Sequence, residues 1–211
     1  MKNLELEWKN LLDEFHGKNA VLVQIGANDG ISHGDAYLYN SIKNNPLWKS
    51  ILIEPIKENM YLLKKNYENS INVFFEEVAI GEEEKTDIIY ANVDTSADGG
   101  CFGALSSLKY YSVEAFRHVN FIPVEIEVKK FSYIVNKYNL KEIDMLQIDT
   151  EGYDYLILKQ ILNMNIFPKA LKFEAGGMSS AEIGEIKKLL SSIGYYGSGE
   201  SNGDVIVKRT F

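Results

Sequence analysis

Apolar residues recur along this chain with two different periods. Leu4, Trp8, Leu11, Leu12 and Phe15 lie at helical spacing and predict an amphipathic helix over 4–15. Short, mostly β-branched or bulky apolar runs at 21–25, 50–53, 71–75, 143–149 and 170–174 predict buried strands instead. Helical patterns fill the intervals at 36–43, 57–67, 131–138, 153–164 and 180–193, with Pro46 stopping the first and Pro55 opening the second. Segments 85–92 and 123–128 alternate and read as extra strands. Residues 78–81 read as a turn at the sheet edge, and 194–196 with 204–207 as a terminal hairpin.

Strands that alternate with helices and end in a hairpin describe an α/β fold. Its sheet is mostly parallel, carries helices on both faces and has an antiparallel C-terminal edge. An N-terminal helical segment, 1–17, serves packing or a homodimer contact, and no linker or repeat divides the single domain expected over 18–211. Within that domain 94–120 changes character: it begins rich in Gly, Ser, Asp and Ala and continues with interleaved aromatic residues, as expected of a lid-like insertion.

Composition narrows the partners. A net charge of −8 over 211 residues, with no Lys/Arg cluster, excludes a nucleic-acid binder, which needs a basic face. Apolar runs of a few residues are too short for a membrane span, and the chain opens without a signal-peptide core, so a cytoplasmic location is expected. The single cysteine, Cys101, excludes an internal disulfide and a Cys-rich zinc site.

Candidate chemistry sits where the first strand ends. Val21 to Ile25 runs into Gly26-Ala27-Asn28-Asp29-Gly30, a loop whose glycines let backbone approach a ligand closely. The spacing is G-x-x-x-G rather than the G-x-G-x-x-G of a dinucleotide fold, and an acid inside the loop would repel a pyrophosphate. Glu54, at the tip of the second strand, stands where an α/β nucleotide fold holds ribose hydroxyls. A ligand with a ribose, a cationic centre and an amino-acid tail suits this set, which describes S-adenosylmethionine. The alternatives are a nucleotide-dependent oxidoreductase and a binding module without activity. Acids also close the other strands, at Glu76, Glu77, Asp149, Glu151 and Glu174, and open α/β sheets bind ligands at that rim.

The order of motifs resembles a known family. V-x-I-G-A-N-D-G at 23–30, I-E-P at 53–55, V-A-I-G at 78–81 and I-D-T-E-G-Y-D at 148–154 resemble the FkbM-type methyltransferases, a branch of the S-adenosylmethionine-dependent Rossmann-like enzymes. The likeness runs in order over 18–207. It implies a seven-stranded fold, S-adenosylmethionine as donor, and methyl transfer to an oxygen of a sugar, glycan or natural product. Carried over by position, Gly26, Asn28, Asp29 and Gly30 line the methionine end and Glu54 takes the ribose. Glu77, Val78 and Ala79 lie beside the adenine, and Asp149 and Glu151 face the methyl group and acceptor. Gln24 stands where the family often has Asp.

An alcohol acceptor requires a base, and the candidates are His33, His118, Asp149 and Glu151. Histidine titrates nearest neutrality, which favours His33 just past the glycine loop. A divalent metal such as Mg²⁺ is the other route to an acidified hydroxyl, with Asp149 and Glu174 as its ligands.

Overall fold

The computed structural model describes residues 4–32, 36–92, 103–107, 120–201 and 203–210. Seven strands make the main sheet: β1 (Ala20–Ile25), β2 (Trp48–Ile53), β3 (Val73–Glu76), β8 (Met145–Ile148), β9 (Ala170–Glu174), β10 (Tyr195–Ser201) and β11 (Asp204–Arg209). Their order is β3-β2-β1-β8-β9-β11-β10. All neighbours from β3 to β9 are parallel, whereas β11 runs antiparallel to both β9 and β10. The expected terminal hairpin therefore forms, with its second strand inserted between β9 and the edge strand β10.

Strand residues alternate between two buried layers, as period-2 geometry requires. Val23, Ile25, Ile51, Ile53, Leu146, Ile148, Leu171 and Phe173 face one core, closed by α4 (Phe131–Tyr138), α5 (Asp154–Asn163) and α6 (Ser180–Ser192). Leu22, Leu52, Met145 and Ala170 face the other, closed by α1 (Leu4–Asp13), α2 (Ala36–Asn44) and α3 (Lys57–Asn66). In that second layer the Trp8 indole N–H donates to the Gln147 side-chain oxygen at 2.9 Å, fastening α1 beneath the sheet.

A second sheet was only partly foreseen. Residues 78–81, expected to be an edge turn, contain β4 (Ala79–Ile80), which pairs in parallel with β7 (Phe121–Lys129) through Val128 and Lys129. Two residues are too few for periodicity to register. With β5 (Lys85–Asn92) and β6 (Gly103–Ser107) they form the order β4-β7-β5-β6, and Ile89, Ala91, Ile126 and Val128 bury a small core with Ile56. Strand β6 falls within the expected lid, while 93–102 and 108–119 lie outside the described residues.

Candidate active site

Gly26 ends β1 at φ +82°, and its N–H and that of Ala27 both donate to the Ile53 carbonyl at 3.0 Å. A side chain here is impossible without rearrangement: a Cβ on Gly26 would stand 1.8 Å from the Asp149 carbonyl oxygen. The loops after β1 and β8 thus meet backbone to backbone at Gly26. Asn28 follows at φ +47°, a conformation that Asn tolerates better than most side chains. Asp29 closes the loop on itself: one carboxylate oxygen accepts from the Ile31 and Ser32 N–H groups and the other from the Ser32 hydroxyl. Gly30, at φ +78°, leaves room for Leu63 and Tyr67, which a Cβ would meet at 2.6 and 2.8 Å.

Glu54 lies beside this loop and is buried, 4% exposed. It accepts from the Asn28 N–H at 2.9 Å on one oxygen, and from the Ile56 N–H at 2.9 Å and the Asn59 amide at 3.4 Å on the other. Burial pushes its carboxyl up to about 7, against the pull of those donors. Glu54 is both an acid at the rim and the tie that joins the glycine loop to α3. Beyond β3, Glu77 is exposed with Lys64 at 4.0 Å, whereas Val78 and Ala79 are buried at the start of β4. Glu76 is engaged elsewhere: its buried carboxylate takes Lys137, Tyr133 and Tyr138 of α4, a latch between β3 and the helix after β7.

The ends of β8 and β9 are different in kind. Asp149, Glu151 and Glu174, all half-buried, each bring a carboxylate oxygen to within 4.8 Å of the others. Glu151 holds φ +53° and Gly152 φ +110°, so the turn projects Glu151 from a conformation that costs roughly 1 kcal/mol or more for a residue with a side chain. Burial, then the Glu174 and Asp154 charges, push the Glu151 carboxyl up to about 8. Burial, then Asp154 and Asp204, push Glu174 up to about 7, with Lys172 opposing. Behind them Asp154, 1% exposed, accepts from the Thr150 hydroxyl at 2.8 Å and from the N–H groups of Thr150 and Glu174 at 3.3 and 3.2 Å. The loop after β9 lies on the same turn, since a Cβ on Gly177 would come within 2.9 Å of the Gly152 Cα.

The expected site residues Gly26, Asn28, Asp29, Gly30 and Glu54 are therefore neighbours, and Asp149, Glu151 and Glu174 form a cluster joined to them by the Gly26–Asp149 contact. His33 and His118, the expected histidine bases, lie outside the described residues. Asp154, which ties the ends of β8 and β9 together, was not singled out in the sequence. An acid in the first turn of a helix reads as a partner of the helix dipole, and nothing local shows that it also reaches β9.

The rim suits a cationic, hydroxyl-bearing nucleoside. Positions 26–30, 54–55, 149–152 and 174–177 hold acids, amides, hydroxyls and glycines and neither Lys nor Arg, so a pyrophosphate would find no counter-charge there. The three clustered carboxylates are also the oxygen donors a hard divalent cation takes.

The model of the methyltransferase FkbM domain matches residues 24–196. The chain belongs to this family. It is an S-adenosylmethionine-dependent methyltransferase with a Rossmann-like fold. No curated protein matches it in sequence. Among solved structures it is similar to a ribosomal protein L11 methylase from Lactobacillus delbrueckii subsp. bulgaricus, at 8% identity and a TM-score of 0.50, covering 100% of this chain and 81% of that one. It is likewise similar to the delta-N METTL16 MTase domain, at 9% identity and a TM-score of 0.50, covering 100% of this chain and 83% of that one. At such identities the likeness is one of fold. Among the described residues of this methyltransferase no helix is long and apolar enough to cross a membrane.

Proposed function

We propose that the enzyme methylates a hydroxyl of a sugar, glycan or natural-product acceptor, with Glu151 as the group that takes the hydroxyl proton. The observation that carries this reading is the Glu151 carboxyl, held on a left-handed turn at the end of β8, gathered with Asp149 and Glu174, and pushed up to about 8. A base works best when its midpoint lies near the working pH, and an ordinary surface glutamate is far below it.

S-adenosylmethionine supplies a methyl group already activated on a sulfonium. The chain's part is alignment and proton removal. Gly26, Asn28, Asp29 and Gly30 shape the loop for the amino-acid end, Glu54 stands for the ribose hydroxyls, and the segment Glu77 to Ala79 borders the adenine side. Bound there, the donor would give its methyl to the acceptor oxygen and keep the carbon–sulfur bonding pair on sulfur, and the Glu151 carboxylate would take the hydroxyl proton. Only ionised Glu151 can accept it, so kcat/KM rises with pH toward about 8 and then levels. A sulfonium bound beside the cluster would favour ionised carboxylates and draw that midpoint downward in the complex.

The test is calorimetric titration with S-adenosylmethionine and S-adenosylhomocysteine on the protein and a Glu54→Ala variant, followed by a hydroxyl-acceptor screen at several pH values with Mg²⁺ or with EDTA. Micromolar binding weakened by Glu54→Ala, and turnover that rises with pH in EDTA, support the reading. Turnover that needs Mg²⁺ moves Asp149, Glu151 and Glu174 from proton acceptance to metal ligation. Absence of binding by folded protein overturns the cofactor assignment.

A further inference from the structure

Asp154 lies in the motif I-D-T-E-G-Y-D, but it is closed off from solvent. At 1% exposure it is sealed behind the rim, and its carboxylate meets three donors from two separate elements. The hydroxyl and N–H of Thr150 come from the turn after β8, and the N–H of Glu174 from the end of β9. Those two elements carry Glu151 and Glu174. The turn needs a clamp, because Glu151 at φ +53° persists only where its surroundings over-determine it. The Asp149 carbonyl, next to Thr150, presses on Gly26 of the cofactor loop, so the clamp reaches that loop as well.

Burying a carboxylate behind two others is costly, and its burial already holds the Asp154 carboxyl above its ordinary range. Helix capping alone does not call for this arrangement. A buried acid with its oxygens divided between two strands' ends is suited to fixing their separation.

We infer that Asp154 is a positioning residue: through Thr150 and the Glu174 N–H it locks the turn after β8 to the end of β9, and so sets where Glu151 and Glu174 stand relative to each other and to the glycine loop. The inference rests on the reading of Glu151 and Glu174 as site residues.

Asp154→Asn, Thr150→Val and Thr150→Ser test it, compared by S-adenosylhomocysteine calorimetry, thermal unfolding and amide NMR spectra. Asp154→Asn keeps the shape but lacks an acceptor oxygen, Thr150→Val removes the hydroxyl donor, and Thr150→Ser retains it. The expected result is a loss of affinity of about tenfold or more in Asp154→Asn and Thr150→Val, the size of one hydrogen bond to a charged group, with Thr150→Ser near the unaltered protein. Amide signals of Glu151, Gly152 and Glu174 should move together in the first two variants while those of distant strands stay. Lowered melting temperature with unchanged affinity and unchanged Glu151 and Gly152 signals would reduce Asp154 to a helix cap and overturn the inference. If Asp154→Asn does not fold, Thr150→Val decides. If the unaltered protein fails to bind S-adenosylhomocysteine, the cofactor reading falls, while the joint movement of the three amides still supports or defeats the clamp.

Discussion

The two ends of β8 and β9 handle carboxylates in opposite ways. At the amino ends, Asp144 accepts from the Val21 N–H at 2.7 Å and takes the Lys169 ammonium at 2.5 Å, and nearby Glu14 is paired with Lys208 at 2.5 Å. A cavity of about 290 Å³ opens there among Lys18, Lys169, Lys208 and Arg209, with Glu14 and Asp144 among them. At the carboxyl ends, Asp149, Glu151 and Glu174 crowd together, with Asp154 behind them. Strands β8 and β9 therefore pair their acids at one end and gather them at the other. Opposite charges in pairs satisfy one another and ask for nothing more. Like charges held together oppose folding, and they persist where a cation, a proton or a catalytic step makes use of them.

The largest effect is expected where gathering is broken at its centre. Glu151→Gln should lower methyl transfer by roughly 10²–10⁴-fold, the usual worth of a positioned base, with S-adenosylhomocysteine affinity changed only a few-fold. Methyl-transfer rates at saturating donor measure this, and a rate within a factor of a few would remove Glu151 from the chemistry. Gly26→Ala comes next. Its Cβ would collide with the Asp149 carbonyl, in a backbone conformation that side chains seldom adopt. A loss of about 3 kcal/mol in urea unfolding is expected, together with loss of cofactor binding.

These two positions also mark what the chain made legible. Gly26 and the acids at 54, 149, 151 and 174 could be read because strand ends follow from apolar runs and ligands gather at one rim of an α/β sheet. Helix α4 was foreseen at its observed limits, 131–138, because its apolar residues repeat cleanly. Glu76 looked equivalent to the other rim acids. Its partners Lys137 and Tyr138 are distant in sequence, and only the fold shows that it is a latch. The same holds for Asp154, whose second element arrives with β9, and for β11, whose place between β9 and β10 depends on pairing rather than on its own pattern.

A pH titration of stability sharpens the comparison without any substitution. Glu54, Glu151 and Glu174 have folded midpoints near 7, 8 and 7, above an ordinary 4.5, so the folded chain holds these protons more tightly than the unfolded one. Their contribution is fully present below about pH 4.5 and is lost as pH rises through about 7–8, each pH unit of raised midpoint being worth about 1.4 kcal/mol. Urea midpoints should fall between pH 5 and 8.5, and Glu151→Gln should make that fall shallower. S-adenosylmethionine, a cation, should offset part of it, whereas S-adenosylhomocysteine, which lacks the sulfonium charge, should offset less. A midpoint that rises over this range would contradict the crowded-carboxylate account.

The smallest effect belongs to the paired end. Lys208 and Glu14 are partly exposed, at 35% and 47% of their side-chain surface, so water replaces either partner at little cost. Lys208→Ala should change stability by about 0.5 kcal/mol or less, and that difference should shrink in 1 M salt. Affinity for S-adenosylhomocysteine should not change, because the pair sits at the opposite ends of the strands from Gly26 and Glu54. A tenfold loss of cofactor affinity in this variant would mean that the two ends are coupled through β9 and β11. The contrast between pairing and gathering would then describe one connected network rather than two independent solutions to the same electrostatic problem.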